Sequence, residues 1–302
     1  MKRKFKVGKE DSILYKRTFS EKILFGFVFI IFLVYALSLI LPFLWLVMNS
    51  LQDPLVYNTN LAYNINFEFP KKLVWSNYAY AFENLEYANT NLLGMTFNSI
   101  WYTAVSVFGN LLAASMVAYI LSKYEFKARN FIYAVIIFCM TVPIVGTTGA
   151  HMRLVTQIIP IYNTPLYPIL KNFSGMGMNF LVMYGFFKNI SWSYAEAAFV
   201  DGASDALVFF RIMLPQALAG VVTLGIMSCI GAWNSYMDVL LYLPSFPTIA
   251  SGLYGVSRVL PRKGLAPVYF AALVLSLIPV FAVFLCFSDL IMQNFAVGGL
   301  KG

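Results

Sequence analysis

The sequence EAAFVDG, from Glu196 to Gly202, is followed after nine residues by IMLP, from Ile212 to Pro215. Both pieces lie between two long apolar runs, so a short polar insertion interrupts an otherwise hydrophobic region. The alanines and Phe199 give a short helix a compact apolar face, while Gly202 permits a sharp turn. Glu196 and Asp201 cap and charge that helix. The layout predicts a rigid docking surface along a membrane, and its alternative is an ordinary amphipathic connector.

The composition of the chain predicts an integral membrane protein. Of its 302 residues 60% are hydrophobic and only 11% are charged, with a mean hydropathy of +0.73. Soluble domains carry roughly 25% charged residues. Uncharged runs of about 20 residues recur along the chain, and each is long enough to cross a hydrocarbon core about 30 Å thick. We therefore expect one all-α bundle without separate soluble domains.

Apolar runs predict six transmembrane helices within a permease domain at 23–291. Leu154 to Leu170 is also uncharged, but its three prolines remove backbone donors that lipid cannot replace. We expect that segment to be external or re-entrant, because a seventh span would invert everything downstream. Asn49 to about Leu92 is expected to form a small external cap that could touch a soluble partner, and the alternative is a passive connection. The predicted spans are about 23–48, 93–121, 131–150, 173–190, 216–243 and 265–290, with the polar loop at 191–215.

The distribution of basic residues predicts the orientation. Eight of the 21 Lys and Arg residues lie in the arm 1–22, and a six-span topology with this arm inside puts 14 of the 21 on the inner side. That excess follows the positive-inside rule and places the tail 292–302 inside as well. The net charge of +8 does not indicate nucleic acid, because the aromatic residues lie within apolar runs and not on a basic water-exposed face.

The spacing of the polar loop resembles the EAA loop of ABC importer permeases, whose cytoplasmic helices seat on the ATPase. Further matches cover most of the chain and look like the carbohydrate-importer, maltose-transporter-like branch of that family. They include Asn77-Tyr78, Asn98-Ser99, Ala118-Tyr119, Trp233-Asn234 and the terminal Gly299 to Gly302. The lengthened loop around 56–92 and the basic arm depart from the family pattern. The residues carried over as ATPase-coupling are Glu196, Ala197, Ala198, Asp201, Gly202, Ile212, Leu214 and Pro215.

The resemblance implies a type I importer permease fold in a bacterial cytoplasmic membrane, with both termini cytoplasmic. It implies a half-pore for a carbohydrate, working with a second permease subunit, two ABC ATPase subunits, an extracytoplasmic sugar-binding protein and membrane lipid. The chain itself has no G-x-x-x-x-G-K-[ST] sequence. We therefore expect it to bind no cofactor and to be no enzyme, with ATP and Mg used by the partner ATPase. The alternatives are a non-sugar solute or an ATP-independent secondary transporter.

Polar and aromatic residues within the predicted spans are candidates for the substrate pathway. A sugar needs aromatic faces for stacking and amide or hydroxyl groups for its own hydroxyls, although the same residues also lock helices together. No catalytic set is evident, and the lone His151, expected in an exposed loop, cannot form a metal site alone. The pathway candidates are Asn98, Asn110, Tyr119, Trp233, Asn234, Tyr236 and Asp238.

Overall fold

The computed structural model describes residues 19–63, 65, 68–142 and 146–298, and omits the side chains of 283 and 286–298. Most of the predicted arm 1–22 and the end of the tail 292–302 therefore lie outside the described residues. The chain divides into two compact units, Met1–Met48 and Asn49–Gly302. The described part is mostly helical, as expected of an all-α protein.

The first unit consists, in its described part, of one long apolar helix. Helix α1 spans Phe19–Ser50, with Glu21 in its first turn and Pro42 inside it. Its length and composition allow it to cross a membrane. The predicted span 23–48 lies within this helix.

The second unit begins with the expected small cap. Asp53 caps the next helix by accepting a 2.8 Å hydrogen bond from the Leu55 backbone NH, and Pro54 follows at the first helical position. The Asn77 side-chain amide donates to the carbonyl oxygens of Ser50 and Gln52, at 2.8 Å each, which holds the cap together. The elements are α2 Pro54–Ala62, α3 Ser76–Asn84 and a hairpin of β1 Glu86–Tyr87 with β2 Thr90–Asn91.

Helix α4, Leu92–Lys123, is the centre of the bundle. It is long and apolar enough to cross a membrane, and it packs against α8 and α12 over much of its length. The helices after it are α5 Arg129–Thr141, α6 Thr147–Arg153, α7 Leu166–Asn172, α8 Met178–Asn189, α9 Ser193–Val200, α10 Asp205–Val208, α11 Leu214–Gln216, α12 Leu218–Trp233, α13 Met237–Tyr242, α14 Ile249–Val256, α15 Val259–Arg262 and α16 Ala266–Gly298. Wide π-helical turns occupy Leu154–Ile158 and Phe209–Met213.

Three of the predicted spans contain breaks that hydropathy does not indicate. The span 131–150 covers α5 and the start of α6, and 173–190 contains α8 but begins in a turn at Gly175 and Gly177, both with positive φ. The span 216–243 is divided after α12, where the Asn234 side-chain amide donates to the Ile230 carbonyl at 2.9 Å. Among the described helices, α1 and α4 are long and apolar enough to cross a membrane, and Asp205–Gln216 with Leu218–Trp233 forms a third candidate bent by 78°.

Among the described residues of the second unit, the buried side chains form three clusters. The first, around Phe180, Phe187 and Phe209, joins α4, α8 and the 191–215 loop. The second joins α3, α14 and α16 around Ala81 and Met95. The third contains Tyr102, Tyr167, Val239 and Tyr242 and joins α4, α7 and α13. The predicted external or re-entrant segment thus contributes fully buried side chains, Val155 and Tyr167, to the third cluster.

Gly175 forms a tight turn that packs against α4. Its φ is +63°, and an added Cβ would lie 2.9 Å from Val117 Cγ2 and 3.0 Å from the Ala113 carbonyl oxygen. Gly175→Ala should lower the stability of the purified chain by about 2 kcal/mol, because backbone strain and a clash with the α4 backbone add together. Thermal unfolding in detergent would measure this.

Gly185→Ala is the matched control, because Gly185 lies within α8 with nothing within 4 Å of its Cβ position. Alanine is a better helix former than glycine by about 1 kcal/mol. The control variant should be as stable as the parent or slightly more stable. Equal melting temperatures for the two variants would contradict the assigned role of Gly175.

Candidate functional site

The 191–215 loop folds as two helical pieces around a tight turn. Helix α9 ends at Val200, and Gly202 has a φ of +81°, so the predicted sharp turn at this glycine is present. The turn is closed by hydrogen bonds from Gly202 N to the Phe199 carbonyl at 3.0 Å and from Ala203 N to the Ala198 carbonyl at 2.9 Å. Helix α10 and the π-helical turn then lead to Pro215 at the start of α11.

The loop has an inner and an outer face. Ala195, Val208 and Met213 are fully buried in the first cluster, and several other loop residues pack partly against it. The predicted apolar helix face is divided, because Ala198 is half-buried whereas Ala197 is exposed. Val200 at the tip is 87% exposed. Of the remaining coupling candidates, Ile212 and Leu214 are half-buried, and Glu196, Asp201, Gly202 and Pro215 are exposed.

The end of α4 holds this loop through contacts that the sequence did not indicate. The Tyr124 hydroxyl donates to Asp205 Oδ1 at 2.6 Å, and the Lys123 ammonium donates to the Ile190 carbonyl. The ring of Tyr124 meets that of Trp192 edge to face at 5.6 Å. Burial and the hydrogen bond to Asp205 raise the pKa of Tyr124 above its ordinary value, so the phenol remains a protonated donor.

Tyr119 belongs to the same region. Its ring lies 5.6 Å from that of Phe187 and 5.2 Å from that of Phe209, and its hydroxyl lies 3.3 Å from the Tyr124 hydroxyl. Its side chain is buried within the first cluster. This pathway candidate therefore sits beneath the loop, away from the other candidates.

Asn98 is occupied by structural hydrogen bonds. Its amide donates to the Pro247 carbonyl at 3.0 Å, and its carbonyl oxygen accepts from Trp101 Nε1 at 3.1 Å. The next residue, Ser99, accepts a 2.8 Å hydrogen bond from Ile249 N at the start of α14. These bonds attach the start of α4 to the segment that enters α14.

Asn110 meets two polar residues from other helices. Asn179 Nδ2, at the start of α8, donates to Asn110 Oδ1 at 2.6 Å and to Ser228 Oγ of α12 at 3.0 Å. All three side chains are half-buried. The cluster joins α4, α8 and α12, which pack closely against one another. Of these three residues, the sequence predicted only Asn110 as a site residue. Asn179 lies at the edge of an apolar run and Ser228 lies in the middle of another, so neither stands out in the sequence.

The three remaining pathway candidates, around the end of α12, contact different parts of the chain. Trp233 packs against the second cluster and lines an apolar cavity of about 290 Å³ with Ile100 and Cys229. Asn234 is exposed, apart from its bond to its own helix. Tyr236 stacks on Tyr254 with ring centroids 4.6 Å apart.

Asp238 is held by a network of donors. Its Oδ2 accepts from the Tyr102 hydroxyl at 2.8 Å, and its Oδ1 accepts from the Tyr167 hydroxyl at 3.0 Å. The same Oδ1 pairs with the Lys171 ammonium, which also lies 5.7 Å from the centroid of the Tyr167 ring. The network joins α4, α7 and α13, so this carboxylate is paired and positions helices.

The expectation that His151 lies in an exposed loop is wrong. It belongs to α6, is half-buried, and its ring lies 4.8 Å from that of Tyr242 and 5.9 Å from that of Tyr167. An aromatic stack therefore covers the side of the Asp238 network. Within the described ranges, no group of three His, Cys, Asp or Glu side chains could hold a metal ion.

Comparison with known proteins gives consistent matches over most of the chain. The family model described as binding-protein-dependent transport system inner membrane component matches residues 109–296. The arabinooligosaccharides transport system permease protein AraQ of Halalkalibacterium halodurans is 26% identical, with 92% of this chain and 95% of the relative covered. The diacetylchitobiose uptake system permease protein NgcG of Streptomyces coelicolor is 24% identical, with 89% and 86% covered.

A solved structure shares the fold. One chain of a bacterial ABC transporter involved in the import of the acidic polysaccharide alginate superimposes with a TM-score of 0.72 at 22% identity. The match covers 90% of this chain and 98% of that one. This chain therefore shares its fold with a chain of that importer.

The Asp238 network predicts unequal effects of removing its members. Lys171→Met should lower the free energy of unfolding by about 1–3 kcal/mol, because it leaves a carboxylate that is largely buried with only two hydroxyl donors. Adding Asp238→Asn should recover part of that loss, since the amide needs no cation. Thermal unfolding of the single and double variants would measure the coupling.

Lys188→Met is the control for this series, because Lys188 is an exposed lysine at the end of α8. It should leave the melting temperature unchanged. If Lys171→Met behaved like the control, the ion pair would contribute nothing to the packing of α7 against α13.

Proposed function

The chain belongs to the family of inner membrane components of binding-protein-dependent transport systems, and from that membership we propose that it is a permease subunit of an ATP-driven importer for a carbohydrate. The observation that carries the proposal is the exposed tip of the 191–215 loop, whose apolar Val200 and acidic neighbours face away from the bundle. The curated relatives named above are permeases for oligosaccharides, and they match over nearly their full length. An oligosaccharide or glycan fragment is therefore the proposed cargo.

The proposed topology has six spans, with both termini and the 191–215 loop in the cytoplasm. This chain forms half of the pathway, and a second permease subunit forms the other half. Two ABC ATPase subunits bind ATP and Mg and dock on the loop, while an extracytoplasmic binding protein delivers the sugar. The chain performs no covalent chemistry, and its work is conformational.

In the proposed mechanism the loop is the place where the ATPase acts on the permease. ATP binding changes the ATPase surface that contacts Glu196 to Gly202, and the loop moves with it. ATP can shift the permease between inward-open and outward-open states only if those contacts differ between the two states. A tip that is exposed in the isolated chain, above a firmly packed inner face, is suited to making such contacts.

The pathway residues of this proposal are those whose polar groups are not fully used in packing. Asn110 with Asn179 and Ser228 offers amide and hydroxyl groups in the middle of the bundle, and the exposed Asn234 lies beside Trp233 at the end of α12. Amide groups and an aromatic face suit a sugar with many hydroxyls. Asn98 and Asp238 instead hold helices, and Tyr119 supports the loop.

Two alternatives remain distinct from this proposal. A non-sugar solute would keep the ATPase and change only the pathway. An ATP-independent secondary transporter would be expected to use intramembrane ionisable groups in its cycle. Asp238 is bound by Lys171 and two tyrosines, which favours a structural role for this carboxylate over ion coupling.

Purification of the chain from its native membrane tests the proposed function directly. We expect a second permease and an ATPase to co-purify, and ATP hydrolysis by the complex to rise when the binding protein is loaded with sugar. Mass spectrometry of the complex and a phosphate-release assay would measure both. A chain that purified alone and moved solute into vesicles without ATP would overturn the proposal.

Gly202→Trp should uncouple sugar uptake from ATP hydrolysis in the reconstituted complex. In the isolated chain nothing lies within 4 Å of the Cβ position, so the bulk of the indole is free to obstruct the docked ATPase. Uptake should fall by more than about tenfold, which corresponds to a loss of about 1.4 kcal/mol or more in productive docking. Uptake of labelled sugar by proteoliposomes would measure it.

Gly202→Asn is the matched control, because the φ of +81° is strained for any side chain but least so for asparagine. It tests backbone strain with little added bulk and should retain most of the uptake. Equal losses in both variants would assign the effect to strain in the turn, and normal uptake by Gly202→Trp would count against ATPase docking here.

A further inference from the structure

Tyr124, the residue directly after α4, contacts the 191–215 loop on both sides of its tip, and this contact is distinct from the docking surface itself. We propose that a clamp between Tyr124 and Asp205 transmits movement of the loop into α4, with Tyr124 as a positioning residue for transport. The inference rests on the proposed function, since it concerns where movement goes after the ATPase has displaced the loop. It assigns a role to two residues outside the motif spacing.

The clamp closes across the loop. On one side of the tip, Lys123 donates to the Ile190 carbonyl and the Tyr124 ring meets Trp192, which in turn lies 5.9 Å from Phe199 of α9. On the other side, the Tyr124 hydroxyl donates to Asp205 Oδ1 at 2.6 Å, at the start of α10. Tyr124 therefore touches Trp192, directly before α9, and Asp205, the first residue of α10, on the two sides of the turn.

The covalent connections of the loop are poor transmitters by comparison. Toward α8 the chain leaves its helical conformation at Ile190, which is extended with φ −75° and ψ 135°. Toward α12, the helical segment Asp205–Gln216 and helix α12 meet at an angle of 78° around Ala217. A displacement of the loop can be absorbed by rotation at either bend, whereas the clamp connects the loop to α4 through direct side-chain contacts.

Helix α4 is suited to distribute the movement. It packs against α8 and α12, and Asn110 joins both through Asn179. The carbonyl of Leu121, near its end, accepts from Arg129 Nε at 2.8 Å, which also links the start of α5 to this turn. A pull on Tyr124 therefore acts on the helix that contacts the polar groups of the proposed pathway.

The hydrogen bond of the clamp is a charge-assisted one. A phenol that donates to a carboxylate forms a shorter and stronger bond than a neutral pair does. Asp205 is exposed, so solvent weakens the bond, but the Tyr124 ring is held in place by Trp192 and Tyr119. Removing the hydroxyl alone therefore removes the bond while the ring contacts remain.

The test uses the complete reconstituted complex and measures ATP hydrolysed per sugar transported. Tyr124→Phe should raise this ratio by about threefold or more, because the loop still docks but pulls α4 less effectively. The amount of ATPase that co-purifies should not change. Tyr184→Phe is the control, since Tyr184 packs against Tyr133 at 4.9 Å and no hydrogen bond of its hydroxyl is described.

Asp205 provides the second variant of the test. Asp205→Ala should raise the ratio as Tyr124→Phe does, and the double variant should be no worse than either single one, because both remove the same bond. Asp205→Asn keeps an acceptor oxygen and should stay close to the parent. Because Asp205 is exposed, its variants keep the test valid even if Tyr124→Phe assembled poorly.

The outcomes separate the clamp from the proposed function. Unchanged ratios in Tyr124→Phe and Asp205→Ala, with Gly202→Trp uncoupled, would overturn the clamp and leave the docking loop intact. Normal uptake by Gly202→Trp would count against ATPase docking at the loop, and a complex that purified without an ATPase would overturn the proposed function. Additive effects of the two clamp variants would also overturn the clamp, since independent roles would then explain each residue.

Discussion

A polar group inside an apolar bundle has no water to bind, so it needs a partner within the protein, either in its own helix or in another one. Several polar side chains along α4 find such partners in other helices. Ser99 holds the start of α14, Tyr102 binds Asp238 of α13, and Asn110 meets Asn179 of α8. At its end, Tyr124 binds Asp205 of the loop. The positions of the other helices depend on these contacts, because apolar surfaces alone do not fix a register.

Hydropathy predicted where helices run but not where they stop. The limits of α1 and α4 follow from the uncharged runs and lie within a few residues of the predicted ones. The breaks at Gly175 to Gly177 and after Trp233 lie inside equally apolar sequence. Glycines with positive φ occupy the first break, and the Asn234 side chain caps the end of α12 at the second. Average hydropathy contains no information about either cause.

Part of the candidate site was likewise predictable from the sequence and part was not. The turn at Gly202 was predictable because it depends on residues that are neighbours in the sequence. The partners of Asp238 were not, because Lys171 and Tyr102 are separated from it by 67 and 136 positions. The residue type of Tyr119 predicts a place in the pathway, whereas only the fold shows its aromatic neighbours Phe187 and Phe209. Local spacing thus predicts a surface, and only packing shows what supports it.

The contrast between the buried inner face of the loop and its exposed tip bears on how the chain can transmit movement as a lever. A lever must be rigid along its arm and exposed at its point of contact. The inner face of the loop is fully buried at Ala195, Val208 and Met213, while Val200 at the tip is 87% exposed. A tip this exposed can change its contacts with a docked protein at little internal cost. Because the arm beneath it is packed against α4, free energy supplied at the tip is available to shift the bundle between two states.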